Sequence, residues 1–157
     1  MHVAHGTLRP GRRASAPARL LALQRGLEEV IRQHAPDVAA VEQIFVAAGP
    51  RSALVLGQAR GVALAAVATG ELPLHEYDTR RIKQAVSCYG AASKAQVRHM
   101  IGRLLGLDPP PAPDAADALA TAICHAHHHR LRALGAAPRR RPRLTRRPGG
   151  PRVRRAP

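Results

Sequence analysis

The segment Val38-Ala-Ala-Val-Glu-Gln-Ile-Phe45 carries the main signal for the fold. A short apolar run of this kind is typical of a β-strand that is buried on both faces, as in a parallel sheet covered by helices. Such a strand should hold no charge, yet Glu42 stands near its carboxyl end. In open α/β sheets functional sites gather at that end. Glu42 is therefore a candidate site residue, and a partly exposed residue at a strand end remains the alternative.

Helical and strand patterns alternate on both sides of this segment. The order β-α-β-α-β-α-α-α indicates an α/β domain with a partly parallel sheet. The predicted elements are a strand at Met1–Arg9, a helix from Ser15 or Ala16 to about His34, the strand around Glu42, a helix over 51–69, a strand at Leu74–Tyr77, and helices that begin near Asp78 or Thr79, Lys94 and Asp114.

The helix predicted over residues 51–69 is rich in alanine and glycine. A glycine in a helix interior costs about 1 kcal/mol relative to alanine. Close packing of Gly57 and Gly61 against another backbone is the compensation that we expect.

Two acids lie in the segment Pro113-Asp-Ala-Ala-Asp-Ala-Leu-Ala120, which is predicted to open the last helix. At a spacing of three residues, Asp114 and Asp117 share one face of its first turn. Acids at a helix N-terminus commonly cap the helix and complement its dipole. Carboxylate oxygens are also the ligands that Mg²⁺ prefers. By itself the pair fits either role.

The net charge of +15 indicates a polyanionic partner. Residues 135–157 hold nine arginines and no acid, so we predict a disordered basic tail after a domain that spans residues 1–134. Lys83 and Lys94 are the two lysines among 25 basic residues. A solvated lysine is the ordinary role for each, and a contact with phosphate is the functional one.

The remaining composition narrows the class of protein. Cys88 and Cys124 are too few for a disulfide framework, which fits a reducing compartment. No apolar run is expected to reach membrane-spanning length, and no secretion signal is evident, so we expect a soluble cytoplasmic protein. Four histidines between His125 and His129 complement the dipole at a helix C-terminus or, less favourably, bind a metal.

Taken together, these segments resemble the RuvC family of Holliday-junction resolvases. The similarity covers Val38–His125 in order and spacing. It rests on Glu42-Gln-Ile-Phe45, Ser52-Ala-Leu-Val-Leu-Gly-Gln-Ala-Arg-Gly61, Lys83, Lys94 and Asp114-Ala-Ala-Asp117.

The resemblance implies an RNase H-like fold, with a mixed sheet flanked by helices, in a homodimer that nicks two strands of like polarity at a four-way junction. It implies two Mg²⁺ ions that hold the scissile phosphate, attack by water, and products with a 3′-hydroxyl and a 5′-phosphate. The family works with the RuvA–RuvB branch-migration machine. The residues that it implicates are Glu42, Asp114 and Asp117 as catalytic metal ligands, Lys83 and Lys94 as phosphate contacts, and Phe45 as a contact to unpaired bases.

Two positions near the catalytic strand carry open alternatives. Phe45 either contacts unpaired bases or folds back into the core. Arg51 follows in a loop that could form a DNA-facing edge, but Gly49 stands where the family often has a polar residue.

One family motif is not found in the sequence. The family begins with a strand that carries Gly-Ile-Asp-Pro-Gly, whose Asp is the first metal ligand. Here the first residues resemble the family's third strand, so the domain is expected to be incomplete at its N-terminus. Met1 is then an internal residue of a longer protein, or the chain is an inactive junction-binding protein, or another acid such as Asp37 or Asp78 is recruited. A related RNase H-like nuclease with a different DNA substrate is a further alternative.

Overall fold

The computed structural model describes residues 1–11, 13–43, 49–87 and 92–133, with side chains as far as residue 130. Phe45, Cys88 and the tail 135–157 lie outside these ranges, so the predictions made for them remain predictions. The described elements are α1 (Ala16–His34), β1 (Ala39–Glu42), α2 (Pro50–Thr69), β2 (Leu74–Tyr77), α3 (Thr79–Ser87), α4 (Lys94–Leu105) and α5 (Pro113–Ala133).

The strands β1 and β2 pair in parallel, with Ala39 opposite Leu74 and Glu42 opposite Tyr77. Helix α2 makes the crossover between them, as the predicted β-α-β order requires. The ladder continues for one residue beyond β1, where Gln43 N donates to Tyr77 O at 2.8 Å. Because parallel strands end at the same edge, Glu42 lies beside the turn that opens α3.

The core joins β2 to the three C-terminal helices. Its buried members are Tyr77 of β2, Ile82 and Val86 of α3, Ala92, Val97 and Ile101 of α4 and the turn before it, and Ala116, Ala120 and Cys124 of α5. The three α5 residues recur every four positions and are small, so this face of α5 can approach its neighbours closely. Burial raises the pKa of the Cys124 thiol, which fits an ordinary core thiol.

Helices α1 and α2 pack on each other and contribute little to that core. Helix α1 has no buried residue, and Ala66 is the buried residue of α2. Apolar side chains remain exposed on both helices, including Leu54 at 63% and Val55 at 52% of full exposure. These two helices therefore present an apolar outer face.

The expectation for the glycines of α2 was wrong. A Cβ atom added at Gly57 or Gly61 would meet nothing within 4 Å. Both glycines face open space, so no close backbone contact within the described chain offsets their cost.

The first residues do not form the predicted strand. Residues 1–11 have no regular secondary structure, and Val3 is 72% exposed. The physical reason is the lack of a pairing partner, because the described sheet consists of β1 and β2 alone. The prediction that β1 is buried on both faces was also wrong, since all four of its residues are only half-buried.

The helix ends follow their local chemistry. Ser93 accepts from Gln96 N, and the Gln96 side chain accepts from Ser93 N, which forms a capping box at the predicted start of α4. Helix α1 ends at His34, and its C-cap Ala35 has a left-handed backbone (φ 41°) just before Pro36.

Helix α2 is long and apolar enough to cross a membrane by length and composition alone, so the expectation that no apolar run has this length was wrong. Its Arg60 nevertheless forms an ion pair with Glu76 of β2. This contact joins α2 to the sheet.

Candidate active site

Glu42 is held at the edge of the sheet by two different elements. Arg60 Nη1 of α2 donates to the Glu42 main-chain oxygen at 2.8 Å, and the same guanidinium binds the Glu76 carboxylate. Thr79 Oγ1 donates to Glu42 Oε1 at 2.6 Å. The main chain and the side chain of Glu42 are therefore fixed by separate donors.

Asp78 caps the helix that carries Thr79. Its Oδ1 accepts from Arg81 N at 2.9 Å, and its main-chain oxygen accepts from Ile82 N at 3.1 Å. An ion pair of 3.2 Å joins Asp78 Oδ2 to Arg81 Nε. Asp78 is therefore the N-cap of α3, at the helix start that the sequence predicted.

A cavity of about 200 Å³ opens at this edge of the sheet. Two carboxylates, both lysines of the sequence and one hydroxyl line it, together with apolar side chains. The lining residues are Glu42, Thr79, Ile82, Lys83, Lys94, Val97, Asp117 and Ala120.

Asp117 reaches the cavity because its neighbours anchor α5. Ala115 and Ala116 are buried, while Asp114 and Asp117 stay exposed on the first turn. Partial burial is the largest cause of a raised pKa at Asp117, opposed by the positive charge of Lys94 and reinforced by the negative charges of Glu42 and Asp114. The three acids are therefore coupled electrostatically. Asp114 itself does not line the cavity.

The family model for the crossover junction endodeoxyribonuclease RuvC matches residues 1–125. The RuvC of Aromatoleum aromaticum is 50% identical over 140 residues, which cover 89% of this chain and 75% of the relative. The RuvC of Bordetella parapertussis is 51% identical over 149 residues, which cover 91% and 82%.

The chain belongs to the RuvC family.

Solved structures agree with this assignment. The RuvC of Thermus thermophilus superposes with a TM-score of 0.69 and 32% identity, over 77% of this chain and 74% of that chain. The same protein in complex with a Holliday junction substrate gives a TM-score of 0.69 with 30% identity over the same shares. The resemblance, the RNase H-like α/β fold class and the nuclease family predicted from the sequence are thus confirmed.

The donor set at the RuvC site fits Mg²⁺ in part. Among the described residues no three His, Cys, Asp or Glu side chains lie together as a group that could hold a metal ion. Glu42 and Asp117 do face one cavity, and Mg²⁺ is usually bound by one or two carboxylates, with waters and substrate phosphates as its other ligands. A cation would also offset the like charges that raise the Asp117 pKa.

Only some of the residues predicted to bind DNA lie at the cavity. Lys83 and Lys94 line the cavity, from α3 and α4 respectively. Arg51 is exposed near the start of α2 and does not line this cavity. Phe45 lies outside the described residues.

The histidines of α5 gather around β2. Tyr77 and His125 share a hydrogen bond of 2.9 Å between the hydroxyl and Nδ1, and the rings of His75 and His125 lie 4.6 Å apart. His128 stacks on Tyr77 with ring centres 5.5 Å apart. The contacts are those of an aromatic cluster, and within the described residues they do not form a metal-ligand set.

Sequence reasoning missed two residues that hold the site. Thr79 was considered only as a helix cap, and Arg60 only as part of a family motif. Each acts on Glu42 across a gap in sequence, of 37 and 18 residues respectively. A local pattern carries no signal for such a contact.

Proposed function

We propose that this chain is a Mg²⁺-dependent, structure-selective DNA endonuclease that resolves Holliday junctions by paired symmetric nicks. The observation that carries the proposal is the shared cavity of Glu42 and Asp117 with Lys83 and Lys94, in a chain of the RuvC family. The acids are suited to a cation and the lysines to phosphate oxygens, so one cavity offers both parts of a phosphodiester site.

Each residue receives a role in this proposal. Glu42, Asp114 and Asp117 would hold two Mg²⁺ ions, with Asp114 joining from the same turn of α5. Bound Mg²⁺ would neutralise charge on the phosphate and stabilise the leaving oxygen. Lys83 and Lys94 would orient the strand through nonbridging phosphate oxygens.

The wider DNA contacts are also part of the proposal. Arg51 would bind the phosphate backbone outside the cavity, and Phe45 would stack on unpaired bases at the junction. The chain would act in the cytoplasm during recombination and repair, together with the RuvA–RuvB branch-migration complex.

A homodimer would place two such sites on one junction. Support comes from the apolar outer face of α1 and α2, where Leu54 and Val55 are more than half exposed. Exposed apolar patches mark interaction surfaces, and closed two-fold dimers are the commonest soluble oligomers.

The test is a nicking assay on a mobile four-way junction with each strand labelled in turn. We expect Mg²⁺-dependent nicks at symmetric positions in two strands of like polarity, and no nicks in linear duplex of the same sequence. Glu42→Gln should abolish the nicks and leave junction binding in EDTA unchanged.

A second function is favoured by the composition of the cavity. Among the described acids only Glu42 and Asp117 line it, and Asp114 does not. The second function is that of an inactive junction-binding protein. Tight junction binding without nicks at any Mg²⁺ concentration would support it and contradict the nuclease.

A further inference from the structure

The hydroxyl of Thr79 is bound to a candidate catalytic carboxylate. Thr79 Oγ1 donates to Glu42 Oε1 at 2.6 Å, which lies in the range of O–H···O⁻ bonds to a charged acceptor. The contact joins the first residue of α3 to the last residue of β1. Both residues line the cavity that also contains Asp117.

The local structure of α3 does not use this hydroxyl. A threonine near a helix start ordinarily caps its own helix. Here Asp78 does so, since its carboxylate accepts from Arg81 N and its main-chain oxygen accepts from Ile82 N. The Thr79 hydroxyl is directed across the turn to Glu42 instead.

This hydrogen bond restricts the side-chain conformation of Glu42 and with it the orientation of its carboxylate. A glutamate at a strand end has three side-chain torsions, and fixing it costs conformational entropy. Arg60 already fixes the main chain of Glu42, but it does not touch the carboxylate in the described structure. Thr79 therefore supplies the contact that sets the orientation of the carboxylate in the cavity.

We infer that Thr79 is a positioning residue that orients the Glu42 carboxylate for a divalent cation. The inference rests on the proposed function, because it requires that Glu42 bind the ion. Partners that hold a metal ligand in place typically change metal affinity by about 10- to 100-fold when they are removed.

The first measurement is Mn²⁺ binding to the full chain without DNA, by calorimetry and by water proton relaxation. Thr79→Val removes the hydroxyl at nearly constant shape, and we expect it to weaken Mn²⁺ binding about tenfold. Thr79→Ser keeps the hydroxyl and should restore affinity to within about twofold of the wild type. Thr69→Val is the matched control, because Thr69 is an exposed threonine at the end of α2.

A second readout separates positioning from a general loss of structure. Thr79 is exposed, so both variants should unfold within about 0.5 kcal/mol of the wild type. Junction binding in EDTA should be the same for the wild type and Thr79→Val, because the hydroxyl donates its hydrogen bond to Glu42.

The possible results lead to different conclusions. Equal Mn²⁺ affinity of Thr79→Val and the wild type, or affinity in Thr79→Ser as weak as in Thr79→Val, overturns the positioning role alone. A wild-type chain that binds no Mn²⁺ overturns the proposed metal-dependent function and the positioning role with it.

Discussion

Arg98 Nε of α4 donates to the main-chain oxygen of Pro111 at 2.7 Å, which joins α4 to the segment that enters α5. The segment also approaches α4 at Gly102, where an added Cβ would lie 3.4 Å from the Pro110 side chain. The first turn of α5, with Asp114, follows directly. The placement of this acid therefore depends on how the proline segment is held against α4.

Replacing Arg98 by alanine should loosen this attachment. We expect a loss of about 1 kcal/mol in the free energy of unfolding, measured by urea denaturation, because a hydrogen bond from a charged donor is removed at a partly exposed site. Arg103→Ala on the same helix is the control, since Arg103 is exposed and takes no part in this contact. Equal stability of the two variants would contradict the role of Arg98.

Asp117→Asn should stabilise the metal-free chain at neutral pH and abolish nicking. The folded-state pKa of Asp117 is raised, so the folded chain holds this proton to higher pH than the unfolded chain does. Wild-type stability should therefore fall as pH rises from the ordinary carboxyl pKa through the raised value. Above this window the asparagine variant avoids that cost, although solvent screening keeps the gain below about 1 kcal/mol.

The measurement is the free energy of unfolding between about pH 3.5 and 7.5 for both chains. The difference should shrink toward the acidic end, as Asp117 becomes protonated in both the folded and the unfolded states. A wild type that is more stable than the variant at neutral pH would refute the electrostatic account. Nicking by the variant should drop on the order of 100-fold or more.

Lys83→Gln and Lys94→Gln should each weaken junction binding and flatten its dependence on salt. Both lysines line the cavity, and each phosphate contact that is lost lowers the salt slope of log Kd by about one. The measurement is junction affinity in EDTA from about 50 to 200 mM NaCl. Arg19→Gln on α1 is the control for the loss of one positive charge outside the cavity. If this control flattened the salt slope as much as the lysine variants do, the lysines would have no local contact with phosphate.

Leu54→Glu should dissociate the proposed homodimer. Leu54 is 63% exposed on α2, so a charge there costs little in the monomer but would be buried by a partner. Sedimentation velocity should show a monomer for this variant and a dimer for the wild type. Leu104→Glu, at a 50% exposed position of α4, should leave the dimer intact. If both variants remained dimers, the dimer interface would not include the exposed face of α2.

The parts of the fold that were predicted correctly depend on local chemistry. The starts of α3 and α4 were predicted because the Asp78 and Ser93 side chains bind backbone groups a few residues away. The pattern of Leu74–Tyr77 predicted the bounds of β2 correctly. Glu42 was found because a charge at the end of an apolar run conflicts with its surroundings.

The parts that were wrong or missed depend on partners distant in sequence. Residues 1–9 have a strand-like pattern, but a strand needs a neighbour for its backbone hydrogen bonds. Gly57 was expected to pack closely, yet packing is set by what covers α2 and not by α2 itself. Thr79 was missed because its acceptor lies 37 residues away.

The double contact of Arg60 gives α2 a mechanical role. One guanidinium binds the main chain of Glu42 and the side chain of Glu76, while the helix that carries it exposes apolar residues on its outer face. Any displacement of α2 along its axis must therefore either break these contacts or move the end of β1 with it. A molecule that binds that outer face and shifts α2 without breaking these contacts would therefore also move the main chain of Glu42.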